Sequence, residues 1–229
     1  YSNGQIQEAL DSVETLTKDY PNEPLLYNIS GVCYKAIGQL DTAVKSFEKA
    51  LSFKPDYTEV NYNLGVTLKE LGQLDAAVKS YEKALALKPD YPEAHNNLGN
   101  AFQELGQQED AAKSYEKALA LKPDYAEAHN NLGVTLKELG QLVAAAACYD
   151  KALDIKPDYA EAYANLGSVM DRLKRLDEAL ASYEHAYYLK PEIDFLLGNL
   201  LHTKMHLCIW DDLANHLNEF KNKINNGEK

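Results

Sequence analysis

Apolar and small residues fall in a repeating order along this chain. Residues 92–125 read PEAHNNLGNAFQELGQQEDAAKSYEKALALKPDY. In the first half, His95, Leu98, Gly99, Phe102 and Leu105 recur at helical spacing. Gly106 follows, a stop of the kind used where the chain needs positive φ. The second half repeats the pattern at Ala111, Tyr115, Ala118, Leu119 and Leu121, and Pro123 closes it. The block therefore predicts a helix, a short turn and a second helix. It returns every 34 residues, marked by Pro21, Pro55, Pro89, Pro123, Pro157 and Pro191. A fixed period of this length signals stacked units rather than one wrapped core. Five full units are expected, at 24–57, 58–91, 92–125, 126–159 and 160–193. Residues 1–23 match only the second half of a unit, and 194–229 read as a degenerate helical pair, its last helix at 212–224.

Two small sites recur in all five units. Gly31, Gly65, Gly99, Gly133 and Gly167 lie in the first helices, and Ala43, Ala77, Ala111, Ala145 and Ala179 in the second. Glycine inside a helix costs about 1 kcal/mol relative to alanine, so its retention implies that two backbones approach closely there. A larger side chain at either site is expected to cost about 1–3 kcal/mol by overpacking. Phe47, Tyr81, Tyr115, Tyr149 and Tyr183 are placed to fill the seam between helices. At the joints, Asp56, Asp90, Asp124 and Asp158 read as caps of the next first helix, with Glu59, Glu93, Glu127 and Glu161 completing capping boxes. In the partial first unit, Ile6, Leu10 and Val13 are expected on a helix with one neighbour missing, an end suited to self-association.

The 34-residue length, the Leu-Gly pair, the two alanines, the aromatic and the proline together resemble the tetratricopeptide repeat over residues 24–193. The resemblance implies an all-α fold, a right-handed superhelix (α-solenoid) of antiparallel helix pairs whose first helices line a concave groove. In the third unit Glu93, Asn96, Asn97, Asn100, Gln103 and Glu104 form a polar stripe off the packing face, which that geometry turns toward the groove. One asparagine in it recurs as a ladder, Asn63, Asn97, Asn131 and Asn165, with Asn96 and Asn130 beside it. Asparagine offers a donor and an acceptor, the complement of a peptide unit. These six are the candidate peptide-binding residues, for an extended segment of protein or peptide held by its backbone. The ladder asparagines could equally serve packing between units. The first unit departs from the ladder, with Ile29 at the rung and Asn28 next to it. A subclass of the family binds acidic C-termini through Lys and Arg in the groove. Here Glu59, Glu93, Glu127 and Glu161 stand on the stripe, and Lys69 and Lys137 are neighbours of Glu70 and Glu138, which disfavours that mode.

Charge narrows the partners. The net charge of −12 and pI near 4.9 disfavour nucleic acid and anionic membranes, leaving neutral or basic polypeptides. No run of about 18 apolar residues exists to span a membrane, and no signal peptide is read. Cys33, Cys148 and Cys208 are odd in number and widely spaced. The first two read as small buried fillers in a reducing, cytoplasmic compartment. His202 and His206 share a helical face near Cys208, a thin basis for zinc without further ligands. No cofactor, metal or catalytic residue is expected. Leu201-His202, Met205, Cys208 and Trp210-Asp211 resemble the junction after the repeats in bacterial relatives of O-linked N-acetylglucosamine transferase. That resemblance implies a substrate-recognition arm for a UDP-GlcNAc-dependent enzyme. Its catalytic module is not among these residues, so the fragment is expected to be inactive. The alternative is a stand-alone scaffold for complex assembly.

Overall fold

In a computed structural model, residues 3–211 are described, together with 215, 217, 218, 221 and 222, and side chains from residue 5. The expected helix at 212–224 lies mostly outside the described residues. The described residues are helical and contain no strand. They fall into two compact units, Tyr1–Leu121 and Lys122–Lys229.

The first unit holds α1 (Asn3–Asp19) and three helix pairs: α2 (Pro24–Ala36) with α3 (Leu40–Phe53), α4 (Thr58–Glu70) with α5 (Leu74–Leu87), and α6 (Pro92–Glu104) with α7 (Gln108–Leu121). The second holds α8 (Ala126–Glu138) with α9 (Leu142–Ile155), α10 (Ala160–Arg172) with α11 (Leu176–Leu189), and α12 (Leu196–His206). Within each unit every helix packs on the next, so the core is a strip. Phe47, Val60, Tyr81 and Leu98 belong to it in the first unit, and Tyr149, Leu166, Tyr183 and Leu196 in the second.

The helical glycines explain how a pair closes. A Cβ on Gly31, Gly65, Gly99, Gly133 or Gly167 would sit 2.5–2.7 Å from the ring of Phe47, Tyr81, Tyr115, Tyr149 or Tyr183. The glycine makes room for an aromatic ring of the second helix, which corrects the expectation of two touching backbones. Phe47, Tyr81, Tyr115 and Tyr149 are fully buried beneath it, as are Ala43, Ala77, Ala111, Ala145 and Ala179.

The turn inside each pair is a Schellman motif. Gly72 N–H donates to Lys69 O and Gln73 N–H to Leu68 O, both at 2.9 Å, with Gly72 at φ +72°. The fifth pair makes the same turn with Lys174 at φ +62°, and α12 ends in it at Cys208, φ +55°. The C-terminal segment thus keeps the turn of a repeat whose sequence has drifted.

The joint between pairs differs from the capping-box expectation. The helices begin one residue later than that scheme needs, so Tyr57, Tyr91, Tyr125 and Tyr159 occupy the cap and make no side-chain cap bond. Asp56, Asp90, Asp124 and Asp158 lie one residue outside it. Two other contacts recur at the joint. A lysine ammonium lies 4.5–4.7 Å from the tyrosine ring centroid in Lys54–Tyr57, Lys88–Tyr91, Lys122–Tyr125 and Lys156–Tyr159. A side chain of the next helix also reaches back to the proline carbonyl. Tyr27 Oη donates to Pro21 O at 2.8 Å, Asn61 Nδ2 to Pro55 O at 3.4 Å, His95 Nε2 to Pro89 O at 3.0 Å and His129 Nε2 to Pro123 O at 2.9 Å.

At the N-terminal end, Leu10 and Val13 are buried on the first unit rather than left bare, because α1 packs its apolar face on α2. The exposed apolar side chains there are instead Leu16, Tyr20, Leu25 and Val32. Cys33 and Cys148 are half-buried and form no disulfide, and burial pushes the Cys33 thiol pKa up.

The buried tyrosines differ in one atom. The Tyr115 hydroxyl meets Asn100 Oδ1 at 2.7 Å and Gln103 Oε1 at 2.9 Å. Val66 and Val134 stand where Asn100 does, and the hydroxyls of Tyr81 and Tyr149 are buried without a partner among the described residues. Burial accordingly drives both phenol pKa values up. Tyr115→Phe should lose about 0.5–1.5 kcal/mol, whereas Tyr81→Phe and Tyr149→Phe should be neutral or stabilising. Urea unfolding of the three variants checks this, and equal losses would contradict it.

His95 makes the joint pH-sensitive. The Pro89 carbonyl only accepts, so Nε2 carries the proton. Burial is the main cause holding the His95 pKa below its usual 6.5. The folded chain therefore binds this proton less readily than the unfolded chain. The contribution is complete above pH 6.5 and is lost as pH falls below that value toward the folded pKa. His95→Asn, the residue found at Asn61, keeps a donor and removes the titration. Its stability should depend less steeply on pH below about 6.5 than that of the parent; identical slopes would acquit His95.

Candidate functional site

The ladder asparagines sit on first helices: Asn63 on α4, Asn97 on α6, Asn131 on α8 and Asn165 on α10. All four are half-buried. Each helix places its asparagine one residue before the Leu-Gly pair that packs on the second helix. For Asn63, Asn97 and Asn165 the side chain therefore lies at the edge of the packing face, beside the preceding first helix of the same compact unit.

Three of the four use one amide N–H to bond that preceding helix. Asn63 Nδ2 donates to Asn28 Oδ1 at 3.3 Å, Asn97 Nδ2 to the Tyr62 hydroxyl at 2.9 Å, and Asn165 Nδ2 to Asn130 Oδ1 at 3.1 Å. Asn131 is also partnered. The acceptor comes from a single register, one residue before the rung of the earlier repeat. These bonds fix the rotamers of Asn63, Asn97 and Asn165 and tie neighbouring pairs together within each compact unit. They leave the amide oxygens of Asn63 and Asn97 for other donors. Asn28 thus belongs to the network as an acceptor, although its own unit has Ile29 at the rung.

The flanking candidates lie deeper. Asn96 is 1 % exposed and Asn130 7 %, and Asn130 is the acceptor for Asn165. Their burial withdraws both from the surface, and Asn130 supports the ladder as that acceptor. Asn100 and Gln103, read as part of the outward stripe, lean over the Tyr115 hydroxyl instead. A further rung went unread in the sequence. Asn199 stands 34 residues beyond Asn165, on α12, and is exposed. The period alone would have found it; the missing proline and the Leu200-Leu201 pair in place of Leu-Gly concealed it.

The lysines in the last turns of α2 and α4 pair with the next repeat and not along their own helix. Lys35 Nζ meets Glu70 Oε1 and Lys69 Nζ meets Glu104 Oε1, each at 2.9 Å. Lys69 therefore pairs one repeat onward and not with its sequence neighbour Glu70. Residue 172, at the corresponding offset from Lys137, is an arginine. Lys137 Nζ reaches Asn165 Oδ1 at 3.4 Å, and Arg172 Nη1 donates to Lys137 O at 3.3 Å. Burial pulls the Lys137 pKa down, with Glu138 opposing and Arg172 adding to the shift. Glu161 is held by Lys190 at 2.7 Å, and that hydrogen bond lowers its pKa.

His202 and His206 are exposed, with ring centroids 4.4 Å apart. Among the described residues no group of three His, Cys, Asp or Glu side chains is placed to hold a metal ion. No helix among them is long and apolar enough to cross a membrane.

The family model described as TPR repeat matches residues 31–72, 67–106, 102–140 and 135–174, and that described as tetratricopeptide repeat matches 160–193. No curated protein matches the sequence. Among solved structures, a MamA protein is 26 % identical with a TM-score of 0.70, covering 75 % of this chain and 94 % of its own. PilF of Pseudomonas aeruginosa is 19 % identical with a TM-score of 0.76, covering 95 % of this chain and 93 % of its own. YrrB, described as a TPR protein with an unusual peptide-binding site, is 20 % identical with a TM-score of 0.72, covering 86 % of this chain and 99 % of its own. At these identities the likeness to PilF and YrrB is one of fold.

Proposed function

The chain belongs to the tetratricopeptide repeat family, and from that premise we propose that it is a protein-interaction module holding extended polypeptide along the face of its first helices. The observation that carries this reading is the repeated, fixed asparagine. Asn63, Asn97 and Asn165 each bond the preceding first helix through one N–H. A peptide backbone offers an N–H and a carbonyl at every residue, so a row of immobilised amides suits it without reading side chains. Immobilisation in advance also spares the ordering cost at binding. The family fold supports a polypeptide partner; among the similar structures, YrrB is described as having a peptide-binding site.

A narrower reading makes this module the substrate arm of a protein O-glycosyltransferase. It rests on Leu201-His202, Met205, Cys208 and Trp210-Asp211 alone, and the matched family and structures bring it no support. The broader reading, a scaffold that brings polypeptides together, does not need it.

Backbone recognition has a signature. Extended peptides of unrelated sequence should bind with similar affinity, and replacing Asn63, Asn97, Asn131 and Asn165 together by Ala should weaken all of them in parallel. Each rung should contribute about 0.5–1.5 kcal/mol. Isothermal titration with scrambled peptide sets, alongside circular dichroism, reads both. Because the rungs also bond within the fold, the single variants Asn97→Ala and Asn165→Ala provide a folded comparison. Undiminished binding in folded variants defeats the reading.

A further inference from the structure

We infer that Lys137 and Arg172 form an anchoring point for one side-chain carboxylate of the bound polypeptide, and that this contact sets its register; the inference rests on the groove reading above. A ladder of identical rungs binds an extended chain equally well after a slip of one repeat. Something that breaks the repetition must fix where the chain lies.

In the second unit the step from Lys137 departs from the charge pairing of the first. In the first unit, Lys35 and Lys69 are each neutralised by the glutamate 35 residues on, Glu70 and Glu104, at 2.9 Å. The same step from Lys137 ends on Arg172, so a second cation stands where the carboxylate should be. No carboxylate among the described residues lies in ion-pair range of either. Lys137 Nζ has the Asn165 amide oxygen at 3.4 Å, and Arg172 is drawn to the end of α8 by its bond to Lys137 O at 3.3 Å. An ammonium partly stripped of water, with an amide oxygen as its hydrogen-bond partner, gains much from an arriving anion. The guanidinium beside it supplies further donors in the fork that suits a carboxylate. Asn165 joins the pair to the ladder itself.

The surroundings select the kind of segment. Glu138 adjoins Lys137, Glu161 lies on α10, and the chain carries a net charge of −12. A run of acidic residues is repelled; a neutral or basic segment with a single Asp or Glu fits.

The test uses two twelve-residue Gly/Ser/Thr peptides, acetylated and amidated, one with a central Glu and its twin with Gln. Binding to the whole chain is followed by amide chemical-shift titration. The Glu peptide should bind about tenfold more tightly than its twin. The ratio should fall to about one in Arg172→Glu, which recreates the Lys–Glu pairing of the first unit, and in Lys137→Gln, which serves should the first variant misfold. Equal binding of the twins to the parent overturns the anchor and leaves the groove reading standing. If neither peptide binds, both fall. A preference surviving both replacements puts the carboxylate elsewhere and overturns the assignment. So does a Gln twin with a free C-terminus that binds as tightly as the Glu peptide, since the site would then read chain ends.

Discussion

The seating of an aromatic ring against a helical glycine is the contact on which the rest depends. In each of the five pairs a Cβ at the glycine would come within 2.5–2.7 Å of the ring. Helix–helix distance within a pair is therefore set by the thickness of a ring lying on bare backbone, not by interdigitated side chains. That distance fixes where the first helix stands, and with it the edge residues that face the preceding pair. The amide bonds from Asn63 to Asn28, Asn97 to Tyr62 and Asn165 to Asn130 follow from that placement. A module built this way concentrates its conformational cost in a few small residues.

The joints between pairs obtain their rigidity differently. A proline closes the second helix, a lysine lies over the tyrosine that follows, and a donor on the next helix bonds the proline carbonyl. None of these contacts reaches across more than one joint. This locality is expected of a repeat array, whose stability is a sum over neighbours, and it is why single positions can drift. Val66 and Val134 orphan a buried hydroxyl, Lys174 replaces a turn glycine, and Arg172 replaces a glutamate. Drift in the core costs stability; drift on the proposed recognition face would give one repeat an identity of its own.

Helix pairs were legible because the 34-residue period and the apolar spacing agree on them. The caps were not, because Asp and Tyr are adjacent and only the backbone decides which one starts the helix. Asn96 and Asn97 could not be told apart from spacing either. They differ by one residue, about 100° around a helix, and that turn separates a 1 % exposed side chain from a half-buried one. The partner of Lys69 was hidden for a related reason. Sequence proximity suggested Glu70, whereas stacking brings Glu104 to 2.9 Å. Contacts within a pair can be read from one unit, but contacts between pairs need the offset at which units stack.

A double-mutant cycle at Gly99 and Tyr115 probes the founding contact most directly. Gly99→Ala should cost about 1–3 kcal/mol in urea unfolding, since the added methyl meets the ring. Tyr115→Leu should cost stability by itself, and in the double variant the two losses should sum to clearly more than the measured loss, because removing the ring removes the clash. A harmless Gly99→Ala, or losses that simply add, would contradict the account.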